Sequence, residues 1–241
     1  TSGFTTISAG SVTVDTTAPA SQKTQGVVTT GGDNQVAGYW NSGNTGVDIT
    51  VQIADDSSIN GGTVQLLVST DGGGSFVPLD TPSTISAVNT NKTISVASGV
   101  LEGVAGFGES DVLQFKATIT DTSGNATTGT VSDTTLTVDQ TAATISTSSI
   151  ASDNATVTLA KTGDTVTLTI ATNENVSSPT VTFTSGGAAA TNADTVSGAS
   201  PGTSFTSAYT VDASDTDGTV AISITATDVA GNTTSGFTTI S

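Results

Sequence analysis

The octapeptide T-S-G-F-T-T-I-S occurs twice in this chain, at Thr1–Ser8 and at Thr234–Ser241, an offset of 234 − 1 = 233 residues. Two further echoes subdivide that interval. V-D-T-T-A (14–18) returns as V-D-Q-T-A (138–142), and D-T-S-G-N (121–125) returns as D-V-A-G-N (228–232). A period of roughly 100–125 residues is the size of a domain and too long for a solenoid repeat. The chain therefore reads as a slice of a tandem array of similar domains. Arrays of this kind extend or connect, so a catalytic role is not expected.

The residues that fill the repeat are β-formers. Val, Ile, Leu and Ala supply the apolar positions, while Thr, Ser and 27 Gly dominate the rest. This mixture favours strands joined by tight turns. The best helical candidate, 100–105, predicts one or two turns at most. Alternation is clear at 48–53, 63–68, 112–119 and 131–138, with turn signals at N-G-G (60–62) and D-G-G-G (71–74). In the second half, strands are expected at 155–159, 165–170, 180–184, 205–211 and 220–227, with a last one from Thr234.

These spacings divide the chain into a final strand and linker of a preceding repeat (1–19), a first domain (20–139) and a second domain (140–241). Each domain offers about seven short strands. The expected class is all-β: two tandem immunoglobulin-like antiparallel β-sandwiches. Residues 1–15 would be an orphan strand, and the second domain's last strand would be short by about seven residues. The segment would then either stay loose or complete a neighbouring molecule by strand addition.

Charge narrows the partners. Eighteen Asp and three Glu face four Lys and no Arg, for a net charge of −17. Such a surface repels nucleic acid and anionic membranes. No apolar run reaches the ~18–20 residues of a spanning helix. With no Cys and no His, thiolate zinc sites, disulfides and histidine acid–base chemistry are excluded. Solubility alone explains many acidic surfaces. Here, however, Asp outnumbers Glu six to one and clusters at loops, which suits Ca²⁺ with its six to eight oxygen ligands.

The pattern of a strand, then D-x-x-G-N, then a strand ending in V-D-x-T-A, resembles the bacterial immunoglobulin-like repeats of giant surface adhesins exported by type I secretion. W-N-S-G-N-T-G-V-D-I-T-V (40–51) and N-G-G-T-V-Q-L (60–66) are similar to one subtype. A-K-T-G-D-T-V-T-L-T-I (160–170), N-E-N-V (173–176) and D-T-D-G-T-V (215–220) are similar to another. The resemblance covers essentially the whole chain. It implies an extracellular, cell-surface spacer that holds a distal binding domain away from the bacterium, often with Ca²⁺ at domain junctions.

In a seven-strand sandwich the B–C and F–G loops lie at the end where the chain enters. For the second domain that gathers Asp139 from the linker, Asn173 and Glu174 from the B–C loop, and Asp228 with Asn232 from the F–G loop. The first domain's E–F turn, G-E-S-D, would add Glu109 and Asp111. The equivalent set for the first domain is Asp15, Asp55 or Asp56, Asp121 and Asn125. Carboxylates converging on one hinge repel unless a cation lies between them. The alternative is an ordinary turn, with Asp capping backbone N–H groups and Gly and Asn in left-handed conformations.

Three other features carry competing readings. Asp212, Asp215 and Asp217 form a carboxylate cluster, which would be a glycosidase-like pair only beside a cleft and is otherwise read as a solvated turn or the outgoing half of a further junction. Tyr39 and Trp40 could stack on a sugar or pack into the core. T-D-G-G-G-S-F (70–76) lacks the ending of a phosphate loop. The functional expectation is a calcium-stiffened spacer whose partners are the neighbouring repeats of its own chain. A self-assembling surface or filament protein linked by exchange of the N-terminal strand, and a carbohydrate-binding module, are the alternatives.

Overall fold

The computed structural model describes residue 10, residues 12–192 and residues 195–238. The first half of the chain forms strands β1 (Thr24–Thr30), β2 (Tyr39–Trp40), β3 (Gly46–Ile53), β4 (Thr63–Ser69), β5 (Val77–Thr84), β6 (Thr90–Ala97), β7 (Val112–Thr120), β8 (Ala126–Thr128) and β9 (Leu136–Val138). One sheet has the order β1-β3-β6. The other runs β2-β9-β7-β4-β5, with β8 also on β7. The second half forms β10 (Ile145–Ser152), β11 (Thr165–Val176), β12 (Thr180–Ser185), β13 (Ala188–Ala189), β14 (Gly202–Thr210), β15 (Val220–Thr227) and β16 (Thr233–Phe237). Its sheets are β10-β11-β14 and β13-β12-β15-β16.

The protein is two tandem immunoglobulin-like sandwiches, and the topology is duplicated. β1, β3 and β6 correspond to β10, β11 and β14, while β5, β4, β7 and β8 correspond to β13, β12, β15 and β16. Period-2 burial produces this arrangement: every second residue of V-L-Q-F-K-A-T-I-T in β7 is buried, and β15 follows the same rule at Ile222, Ile224 and Ala226. The inward rows make two separate cores. One is built on Trp40, Ile49, Leu66, Leu113 and Phe115, the other on Leu168, Phe183, Phe205, Tyr209 and Ile222. Burying such side chains contributes about 1.5–3 kcal/mol each.

Two expected strands differ. Residues 155–159 are not a strand; the preceding segment, β10, takes that place in the sheet. Polar turn bonds explain the break. Asn154 N–H donates to Ser152 Oγ, and Asn154 Nδ2 donates to Asp164, which turns the chain away from the ladder. The strand expected over 131–138 shortens to β9. Ser132 Oγ, bonded to Thr134 O and accepting from Phe115 N–H, bends the chain before it. The helical candidate is one turn, α1 (Ser98–Leu101), whose Leu101 is buried. Of the proposed orphan strand, residues 1–9 and 11 lie outside the described residues, and 12–15 are not strand. No helix among the described residues is long and apolar enough to cross a membrane.

Candidate functional site

Each D-x-x-G-N turn joins the two strands at the upper end of its sandwich, and both are built alike. In the first, Asp121 Oδ1 accepts from the N–H groups of Ser123 and Asn125, each at 2.9 Å, and Oδ2 accepts from Asn125 Nδ2. Asn125 Nδ2 also reaches the carbonyl of Asp15, and Ser123 Oγ donates to the Asp15 carboxylate. In the second, Asp228 Oδ1 accepts from Ala230 and Asn232 N–H, and Oδ2 accepts from Asn232 Nδ2. Asn232 Nδ2 reaches the Asp139 carbonyl at 2.9 Å. Asp15, Asp121 and Asn125 are therefore the structural counterparts of Asp139, Asp228 and Asn232, and Asp is a turn cap in both copies.

The surroundings separate the two ends. Asp139, Glu174 and Asp228 offer carboxylate oxygens that all lie within 4.8 Å of one another. Glu174 arrives on the bulge in β11 between Ala171 and Val176. Its position is held by Thr172 Oγ1, which donates to the Glu174 carbonyl. Burial raises the affinity of Asp139 for its proton, reinforced by the charges of Asp228 and Glu109. Burial likewise raises that of Glu174, with Asp139, Asp228 and Glu109 adding repulsion. Glu109, from the first sandwich, is thus a fourth carboxylate acting on the group. Its two oxygens accept from the N–H of Gln140.

Other expected ligands are placed differently. Asp111 Oδ2 accepts from Gly108 N–H at 2.7 Å and caps its own turn. Asn173 Oδ1 accepts from Thr144 N–H and ties the B–C loop to the linker. At the first sandwich's upper end, Asp56 caps a 3₁₀ turn through Ser58 N–H and Oγ. The Ser58 hydroxyl holds the Asp56 carboxyl below its usual range. Asp55 is exposed. Asp121, bonded by the Asn125 amide, is also held low. Among the described residues, no group of three or more acids within metal-ligand reach forms at that end. Asp212 and Asp215 are local turn caps: Asp212 Oδ1 accepts from Ser214, and Asp215 Oδ2 accepts from Asp212 N–H.

Around the carboxylates the two sandwiches dock through a loop whose role the sequence reading missed. Asn41, 1% exposed, donates through Nδ2 to the carbonyls of Asn34 and Ala230, the latter at 2.7 Å across the junction. Ser42 donates through both N–H and Oγ to Asn232 Oδ1. The motif W-N-S-G-N (40–44) is therefore a docking loop. Its only sequence signal is a concentration of Asn and Gly beside a lone Trp. Trp40 is fully buried, and its Nε1 donates to Glu102. Glu102 in turn accepts from Gln140 Nε2 in the linker. No indole face is available to stack on a sugar, so Trp40 takes the core alternative.

No protein-family model matches the sequence, and comparison with curated proteins found no match. Among solved structures, the chain is similar to the FN1–FN3 domains of chicken CNTN1. That likeness has 13% identity and a TM-score of 0.33, and covers 93% of this chain and 69% of the other. A marsupial T cell receptor is similar at 13% identity and a TM-score of 0.30, over 91% of this chain and 61% of its own.

Proposed function

We propose that the protein is an extender module of a bacterial cell-surface adhesin, and that one Ca²⁺ stiffens the junction between its sandwiches. The observation that carries this reading is the meeting of Asp139, Glu174 and Asp228 within 4.8 Å, beside Glu109 of the preceding sandwich. The donors are carboxylate oxygens in a chain with neither His nor Cys, a set that suits a hard cation. Asp139, Glu174 and Asp228 would hold the ion, with Glu109 adding charge from the other module. A cation there would offset the repulsion that, after burial, raises the proton affinity of Asp139 and Glu174.

The proposed role is mechanical. Strands of about 7–10 residues at ~3.3 Å each give a module on the order of 25–35 Å of reach. A cation shared between modules would keep that length straight. Extracellular sites of this kind bind Ca²⁺ at ~10⁻⁴ to 10⁻³ M, and free ion at ten times that constant adds about 1.4 kcal/mol. Thermal melting in chelator, followed by Ca²⁺ add-back, tests the reading. Ca²⁺ is expected to raise the melting temperature by several degrees, and Glu174→Gln is expected to abolish the rise. An identical melting curve in chelator and in Ca²⁺ would leave the D-x-x-G-N turns as caps alone.

A further inference from the structure

One sheet edge of the first sandwich is open along its length. β6 is the outer strand of the order β1-β3-β6 and pairs with β3 in an unbroken antiparallel register, from Gly46↔Ala97 to Ile53↔Thr90. The direction of its free backbone groups follows from β3. Gln52 N–H donates to Lys23 O on the β1 side. Bonding groups alternate sides along an antiparallel strand, so Val51 and Ile49 bond toward β6. Their partners there are Lys92 and Ile94. The intervening N–H and C=O groups of Asn91, Thr93 and Ser95 therefore point outward from the sheet edge. All three residues are exposed, and among the described residues no loop bonds to their backbone.

Other edges carry devices that block pairing. At β14, the counterpart of β6, Ser197 and Thr206 exchange two N–H···O bonds of 2.8 and 2.9 Å, which covers the edge. β5 holds Pro78, Pro82 and a left-handed Asp80 at a φ of 60°. β1 has a bulge beside Gly26, and Gln22 O just before it accepts from Thr130 N–H. β6 has neither proline nor bulge, and its one charged residue is Lys92. An edge this regular is a template for another strand. On a chain of net charge −17, a second copy also approaches most easily where carboxylates are absent.

We propose that the β6 edge is a self-association site, pairing antiparallel with β6 of a second copy about a twofold axis at Thr93. This register keeps both core-facing rows on one side and brings the two sets of free backbone groups together. Thr93 faces Thr93, Asn91 faces Ser95 and Lys92 faces Ile94, so no like charges meet. The two three-stranded sheets become one continuous sheet, with the chains running in opposite directions. Such a contact is isologous and closed, so assembly stops at the dimer. A single ladder of this length is small beside a standard interface, which makes the dimer weak and reversible.

Sedimentation of the full chain, over a concentration series up to its solubility, tests the proposal. The average mass is expected to rise from 23.5 kDa toward twice that value and no further. Thr93→Lys and Thr93→Asp each set like charges against one another at the axis, and each chain alone is expected to stay monomeric. An equimolar mixture of the two is expected to associate again, because the mixed pair joins opposite charges. The Thr93 side chain is exposed, with its hydroxyl bonded to that of Thr50, so the core does not depend on it. Because the chain has no Cys, Thr93→Cys gives a second readout free of added charge. It is expected to cross-link to itself at least about tenfold faster than Thr169→Cys, which is exposed on the outer face of β11, through the local concentration that pairing creates. A monomer at every concentration, growth beyond the dimer, a mixture no more associated than its components, or equal cross-linking at the two positions would each overturn it.

Discussion

The same five-residue turn serves at the upper end of both sandwiches, yet only one of the two is crowded with charge. Asp121 and Asp228 make the same three hydrogen bonds. In the first turn Ser123 answers the Asp15 carboxylate with its hydroxyl. In the second that position is Ala230, and Asp139 faces Asp228 and Glu174 instead. The turn itself is thus a structural cap, built by the same hydrogen bonds at both ends. What distinguishes the junction is everything brought to it from outside: Glu174 on its bulge, Glu109 from the preceding sandwich, and the docked Asn41 loop.

The comparison breaks most visibly at the turn glycines. Gly124 has a positive φ of 95° with open space where a Cβ would go, whereas Gly231, at 99°, would place one 2.4 Å from the carbonyl of Asn34. Gly124→Ala is expected to cost about 1 kcal/mol, the left-handed penalty alone. Gly231→Ala adds overpacking against the docking loop, for a total of about 3–4 kcal/mol. Chemical denaturation of the two variants measures the difference. Equal losses would mean that the junction is not packed as described.

Asn41→Ala should come next, at about 2 kcal/mol, because it removes a buried donor and leaves the Ala230 and Asn34 carbonyls unanswered. The same variant is expected to split a single unfolding transition into two, read by differential scanning calorimetry. The smallest effect is the pH response. A carboxylate with a raised folded-state affinity for protons binds them more tightly folded than unfolded, so stability falls as pH rises above its unfolded value. For Asp139 and Glu174 that window opens above 3.8 and 4.5. Asp164 behaves oppositely: the Asn154 amide and Lys161 lower it to about 2, so its contribution is lost only below 3.8. In chelator, acidifying from about pH 7 to about pH 5 is therefore expected to stabilise the second sandwich slightly, and Ca²⁺ is expected to reverse that sign. Melting curves at the two pH values decide it.

The class of fold and the convergence of Asp139, Glu174 and Asp228 were legible in the sequence because both follow from strand alternation and turn spacing. The docking loop was not. Asn41 and Ser42 bond to Ala230 and Asn232, nearly two hundred positions away, and no local pattern marks such a partner. Residues 155–159 misled for a related reason. Val157 and Leu159 alternate like a strand, but strand formation also requires a ladder partner, and none of the described residues supplies one. Asp111 and Asp56 are expected at the junctions from the loops that carry them, and in the structure each accepts from its own turn. Whether a carboxylate faces a neighbour or its own backbone depends on one or two dihedral angles that composition does not encode.

Terbium luminescence tests the central claim most directly. The chain's lone tryptophan, Trp40, connects to the junction through Glu102 and Gln140, so an ion held by Asp139, Glu174 and Asp228 lies near the indole that would sensitise it. Emission is expected to saturate on titrating the metal, to be displaced by Ca²⁺, and to disappear in the chain carrying Asp139→Asn and Glu174→Gln. Emission that is absent in the unaltered chain, or unchanged by those two substitutions, would contradict a shared cation between the sandwiches.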